Sequence, residues 1–136
     1  MSDAISRHRV PGAPQPPKGV RYHHATEAAG WLHVTGQLPS IPGRPEAPFA
    51  DGIDAQTEQV FQNLITIVQG AGYRLDQTVF ARLYLVDFDR DFDGLNRVYH
   101  RHFADESNAP SRTTVGVARL GRGALVEIDL VLYRAP

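Results

Sequence analysis

The chain has 136 residues, 14 of them basic and 15 acidic, for a formal charge of −1; that length suits one domain with a proper core and is too short for two ordinary ones. Acids and bases are mixed with no basic stripe, which argues against a nucleic-acid partner. Cysteine is absent, which excludes disulfides, a cysteine nucleophile, thiolate metal sites and iron–sulfur clusters.

Residues 1–19 hold Pro11, Pro14, Pro16 and Pro17 and little that packs, so a flexible or extended N-terminal arm is predicted, followed by a single domain over 20–136. Residues 20–28 and 31–38 are strand-like, with Ala29-Gly30 as a hairpin turn signal. Prolines at 39, 42, 45 and 48 suit an extended, polyproline-like loop over 39–50 that can be a lid or plain surface. Asp51 is the predicted start of a helix, with Asp54 echoing a capping box. Thr57, Val60, Phe61, Leu64, Ile67, Val68 and Ala71 recur at helical spacing before Gly70 and Gly72 end the element. Residues 78–87 read as a largely buried strand. Asp91 is the predicted cap of a second helix with a face of Phe92, Leu95, Tyr99, His102 and Phe103. No apolar run approaches the roughly 20 residues that span a bilayer, and the N-terminus lacks a signal-peptide core, so no membrane partner and a cytoplasmic location are expected.

The last quarter is the most informative. Segments 110–118 and 123–130 are apolar and β-branched, yet they carry Arg112 and Glu127. Charges are rarely placed on packing strands unless something binds or pairs with them. An arginine that can fork onto a carboxylate, with an acid elsewhere on the sheet, suggests a small anionic ligand and proton transfer. Read as a hairpin, Thr113, Val115 and Val117 share one face with Val126, Ile128, Leu130 and Leu132. That register puts Arg112 and Glu127 together on the other face. Glu127 then lies opposite Ala118, six rungs from Arg112, or about 20 Å. The two side chains cannot easily meet within one copy of the chain, which points to a subunit interface. The alternative is a pair of structural ion-pair residues on a solvated face.

The predicted order β-β-α-β-α-β-β gives an α+β sandwich with two helices on one face of a mixed sheet. The other face is left uncovered, most simply to be covered by further copies of the chain. Six histidines invite a metal, but His23 and His24 alternate sides of a strand, and His100 and His102 are misaligned on a helix. No metal site is predicted. His24 shares a strand face with Tyr22 and is either a possible cleft residue or a plain surface histidine.

Four ordered blocks complete the reading. Val34-Thr35-Gly36-Gln37-Leu38-Pro39, residues 56–64, Asn96-Arg97-Val98-Tyr99, and Pro110-Ser111-Arg112 through Val126-Glu127-Ile128 resemble the Rid family of enamine/imine deaminases, which carries the older label L-PSP endoribonuclease. The resemblance runs from about Tyr22 to Tyr133. It implies a chorismate-mutase-like fold, a homotrimer with clefts between subunits, and hydrolysis of reactive 2-enamino and 2-imino acids to 2-keto acids and ammonia without a cofactor. By position, Arg112 matches the arginine that grips the substrate carboxylate and Glu127 the acid that activates water. Tyr22, Thr35, Gly36, Asn96 and Thr114 match pocket positions. Thr35 stands where serine is usual, and Thr114 where cysteine is common. The family's Gly-Pro-Tyr-Ser-Gln-Ala stretch is here Val20-Arg21-Tyr22-His23-His24-Ala25, bulkier and more basic, which marks a divergent branch with a larger or more anionic substrate.

Two other readings stay open from sequence: a non-catalytic ligand-binding or regulatory trimer, and a deaminase dedicated to one pathway intermediate of aminomuconate type. RNA cleavage is disfavoured by the neutral charge balance and the lack of interleaved basic and aromatic residues.

Overall fold

The computed structural model describes residues 4–136. Its strands are β1 (Ser6–His8), β2 (Ala25–Ala28), β3 (Trp31–Gln37), β4 (Thr78–Leu85), β5 (Ser111–Gly116) and β6 (Val126–Tyr133), with helices α1 (Ile53–Gly70) and α2 (Phe88–His102). The strands form one mixed sheet in the order β1-β2-β3-β6-β4-β5. Both helices lie on one face, as the sequence predicts. The crossovers β3-α1-β4 and β4-α2-β5 run the same way across the sheet, and right-handed crossovers then put both helices on the same side.

The predicted terminal hairpin does not form. β5 pairs in parallel with β4, and β6 pairs antiparallel with both β3 and β4. A helix is about 10 Å wide and strands are about 4.8 Å apart. Two helices side by side therefore leave room for a strand between β3 and β4, and β6 fills it. Val126, Ile128, Leu130 and Leu132 point at the helices and are fully or almost fully buried. Glu127, Asp129 and Val131 point to the open face.

The same pairing corrects the predicted placement of Arg112. Arg112, Thr114 and Gly116 pair with Ala81, Leu83 and Leu85, the buried side of β4. Tyr84, on the other side of that strand, pairs with Glu127. Arg112 is thus on the helix side and Glu127 on the open side. Apolar-to-apolar matching failed because β5 is an edge strand, where an arginine can lie against the flank of α2 without being sealed in the core.

Residues 78–87 yield a slightly shorter strand, and of 20–28 only the last four residues are β-structure. The apolar stripe of α1 is as predicted: Thr57, Val60, Phe61, Leu64, Ile67, Val68 and Ala71 are all buried. The helix caps differ. α1 starts after Gly52, which has φ 85° and offers no side-chain cap, a left-handed conformation that suits glycine. α2 is capped by Asp87, which accepts from the Arg90 amide. Asp91 lies inside the helix, buried, with both oxygens taken by Arg90. The loop over 39–50 is pinned by Asn63, which donates to the carbonyls of Leu38 and Ser40, and by Arg122, which donates to Ala47.

Residues 1–3 of the predicted arm lie outside the described residues, and residues 6–14 are tied to the domain. β1 adds to the sheet beside β2, and Val10 and Ala13 enter the core. The holding group is His24. Its ring is fully buried; Nδ1 accepts from the Val10 amide at 2.8 Å, and Nε2 donates to the Pro14 carbonyl at 2.8 Å. Proline density hid this contact from sequence analysis, because the partner is a histidine ten or more residues away. Glu27 adds a second tie: it accepts from Tyr73 at 2.9 Å and pairs with His8 at 2.9 Å. Burial pushes its carboxyl up, but these hydrogen bonds outweigh that and hold it below the ordinary carboxylate value.

His24→Leu keeps the apolar volume and strands two backbone groups, each at about 1–3 kcal/mol when buried. It is expected to lower the urea midpoint and to open the chain around Val10 to limited proteolysis. A midpoint equal to that of the wild type would show that the ring does not hold the segment.

Candidate active site

The acid half of the site is built on the open face of the sheet. Glu127 is the second residue of β6, next to β3. The β3–β6 register shifts between Val34 and Gln37, and this irregularity brings Gly36 against the glutamate. A Cβ on Gly36 would lie 2.2 Å from Glu127 Oε2, so only glycine admits the carboxylate here. Beside it, Thr35 donates its hydroxyl to the His23 carbonyl at 2.7 Å, and its amide donates to the His24 carbonyl at 2.9 Å. These bonds fix the segment that carries Tyr22. Burial raises the Tyr22 hydroxyl above its ordinary value, and the charge of Glu127 raises it further, which places tyrosine and glutamate in one electrostatic cluster. Burial also raises the Glu127 carboxyl, and the neighbouring Asp129 adds to that. Among the described residues no side chain hydrogen-bonds to Glu127, so its oxygens are available to water or a ligand.

The cationic half lies on the helix side at the sheet edge. Arg112 extends from β5 across the flank of α2. Its guanidinium carbon is 4.5 Å from the centre of the Tyr99 ring and 5.7 Å from that of Phe92. Nε donates to Thr114 Oγ1 at 2.8 Å, which orients the group and leaves the Nη1/Nη2 end for a partner. Nη2 is buried without one. Burial draws the guanidinium below its ordinary value, though an arginine stays protonated. Asn96 follows Phe92 by four residues and precedes Tyr99 by three, so it shares their side of α2. Its Oδ1 is also buried and unpartnered. On this side of α2, then, one guanidinium nitrogen and one amide oxygen are buried without a partner.

Of the positions singled out from sequence, Tyr22, Thr35 and Gly36 gather at Glu127, and Thr114 and Asn96 gather at Arg112. His24 does not join either group: both its ring nitrogens are spent on the N-terminal segment, so it is not a cleft residue. Arg112 and Glu127 are not brought together. They are on opposite faces, separated by β4, about 10 Å across the sheet and three rungs, about 10 Å, along it. The predicted separation within one chain therefore holds for another reason than a long hairpin.

Sequence analysis missed Phe92 and Tyr99 as the walls of the arginine, since both scored as core of α2. It put Asp129 on the same strand face as Glu127 without giving it a role, and read Tyr84, which pairs with Glu127, as a packing residue. The signal for Asp129 was present: two residues beyond Glu127, it must share that face.

A family model described as Endoribonuclease L-PSP matches residues 13–133. A RutC family protein of Pyrococcus horikoshii is 35% identical over 83% of this chain and 86% of its own. The crystal structure of RidA from an Antarctic Psychrobacter superposes with a TM-score of 0.85 at 32% identity, covering 95% of this chain and 99% of that one. The YjgF gene product of E. coli superposes with a TM-score of 0.83 at 28% identity, covering 95% and 98%. The four sequence blocks, the helix-on-one-face mixed sheet and these likenesses agree, and the chain belongs to the Rid family, whose members are also described as RutC family proteins and L-PSP endoribonucleases.

Proposed function

We propose that this protein hydrolyses 2-imino and 2-enamino acids to 2-keto acids and ammonia, at sites completed between copies of the chain in a homotrimer. The observation that carries this reading is the buried, unpartnered Nη2 of Arg112, together with the buried, unpartnered Oδ1 of Asn96 on the α2 flank that Arg112 crosses. A carboxylate satisfies the first, and an N–H on the adjacent carbon satisfies the second. A 2-imino acid offers both, two bonds apart. The acid the reaction needs faces the other way in the same chain. A second copy, seated with its open sheet face against the arginine edge of the first, supplies it.

In such a cleft the Nη1/Nη2 end of Arg112 holds the carboxylate by two parallel hydrogen bonds, each charge-assisted and worth about 1.5–3 kcal/mol. That fixes the C=N carbon relative to Glu127. Glu127 accepts a proton from water as its oxygen bonds to that carbon. It passes that proton to nitrogen, giving a carbinolamine, and then carries the carbinolamine hydroxyl proton to the amine nitrogen as the C–N bond breaks, leaving the C=O of the keto acid and ammonia. Such acid–base help is typically worth about 10²–10⁴ in rate. An enamine enters the same path after its carbon is protonated. No residue in this scheme needs a metal or a cofactor.

A purely ligand-binding trimer would use the same arginine, and a deaminase dedicated to one intermediate would use the same pair. Turnover across a panel of side chains separates them. Imino acids are generated in situ with an amino-acid oxidase, and the acceleration of their loss is measured. A general deaminase acts on several, a dedicated one on one, and a binding module on none.

Arg112→Lys is expected to lose nearly as much of kcat/KM as Arg112→Ala, because a point charge cannot replace the fork. Near-wild-type turnover by the lysine variant would rule out the two-point grip.

Glu127→Gln is expected to retain ligand binding and lose turnover. Its stability gives an independent sign. A carboxyl raised in the folded state binds protons more tightly there than when unfolded, so its ionisation subtracts stability as pH rises through its folded value. Removing the charge should leave the melting temperature at neutral pH unchanged or higher, whereas a stabilising ion-pair residue would lower it. In the wild type, kcat/KM should fall on the acid side with an apparent pKa above the ordinary glutamate value of 4.5. A profile that stays flat down to that pH would remove Glu127 as the base.

A further inference from the structure

The open face holds a second carboxylate that the proposed reaction does not use. Asp129 is two residues beyond Glu127 on β6, on the same face, about 7 Å along the strand. The flanking strand β4 treats the two acids differently. Tyr84 pairs in register with Glu127 and Arg82 with Asp129, yet both side chains serve Asp129. The Tyr84 hydroxyl donates to Asp129 Oδ2 at 2.9 Å, and Arg82 Nε reaches the same oxygen at 3.3 Å. Asp129 is largely covered, with 16% of its side chain exposed. It lines a shallow concavity with Arg82, His33, Thr35, Gly36 and Phe80, next to the glutamate.

We propose that Asp129, clamped by Tyr84 and Arg82, is a positioning residue for Glu127: its fixed negative charge makes Glu127 the acid of the pair that takes the proton from water. The proposal deepens the deaminase reading and rests on it for the chemistry, while the coupling between the two carboxyls is a property of the fold alone. The argument is one of unequal solvation. Asp129 receives a hydroxyl donor and a guanidinium on one oxygen. Glu127 receives neither, and is pressed against the Gly36 backbone. When two nearby carboxyls compete for one proton, the better-solvated one stays ionised and the other binds it. The raised Glu127 carboxyl, with burial first and Asp129 second among its causes, agrees with that asymmetry. The titratable or charged groups around Glu127 are Tyr22 from the segment before β2, Tyr84 and Arg82 from β4, and Asp129 on its own strand. β3 offers only Gly36 there, with His33 farther along beside Val131. A bare surface ion pair between Arg82 and Asp129 would contribute little to stability and would leave Glu127 untouched.

The test follows the Glu127 side-chain carboxyl by carbon-13 NMR in the full-length protein, with the signal assigned by its loss in Glu127→Gln. It is run beside the pH dependence of kcat/KM on imino acids generated in situ. Asp129→Asn is expected to lower the Glu127 titration midpoint by roughly 0.5–1.5 pH units, the range for a unit charge at that distance near a protein surface. The acid limb of kcat/KM should move down with it. Asp129→Glu should restore most of both shifts. If Asn at this position disturbs folding, Asp129→Ser carries the same test. A Glu127 midpoint in the neutral variant that coincides with the wild type overturns the proposal, as does an acid limb that moves without it. Absence of turnover in the wild type would instead sink the deaminase reading, and the NMR midpoints would still decide the coupling.

Discussion

The insertion of β6 between β3 and β4 is the constraint on which the rest of this molecule depends. It closes the core, because Val126, Ile128, Leu130 and Leu132 fill the centre of the sheet beneath both helices. It also forces the alternate residues Glu127 and Asp129 onto the open face, between the bulged β3 and the polar side of β4. A strand buried on one face and bare on the other cannot carry carboxylates without consequence. Here the consequence is a pair of acids in unequal surroundings, one clamped by Tyr84 and Arg82 and the other left beside a glycine.

The same insertion separates the two charged residues that the proposed chemistry needs. By displacing β5 to the sheet edge, it leaves Arg112 against Tyr99 and Phe92 on the helix side, and Glu127 on the far side of the sheet. A single copy presents an unsatisfied cation in one direction and a free acid in another. Each half is costly to keep alone: one nitrogen of the arginine is buried without a partner, and the glutamate is a half-buried acid with no side-chain donor among the described residues. Folding stability does not call for either. Both fit the proposed reading, in which another copy completes the site and the open face bears the acid.

The N-terminal segment serves the site at one remove. His24 pins Val10 and Pro14, and Thr35 ties down the His23 and His24 carbonyls. Tyr22, within electrostatic reach of Glu127, is thereby held by a stretch of chain that has no regular structure of its own. Within the basic stretch Arg21-Tyr22-His23-His24, His24 therefore serves packing and not a ligand.

Local pattern in the sequence was enough to establish both helices, the stripe of α1, four of the six strands within a few residues and the alternation along β6. These depend on spacings of two and of three to four residues, which a chain carries wherever its elements end up. Tertiary structure alone decided which strand β6 pairs with, which face receives Arg112, that residues 6–14 pack and do not trail, and that Tyr84 and Arg82 favour Asp129 over Glu127. A strand offers the same backbone donors and acceptors to any neighbour, and an arginine at an edge can turn to either side. Those choices are made by residues far apart in the chain competing for the same space, and no local pattern records the outcome.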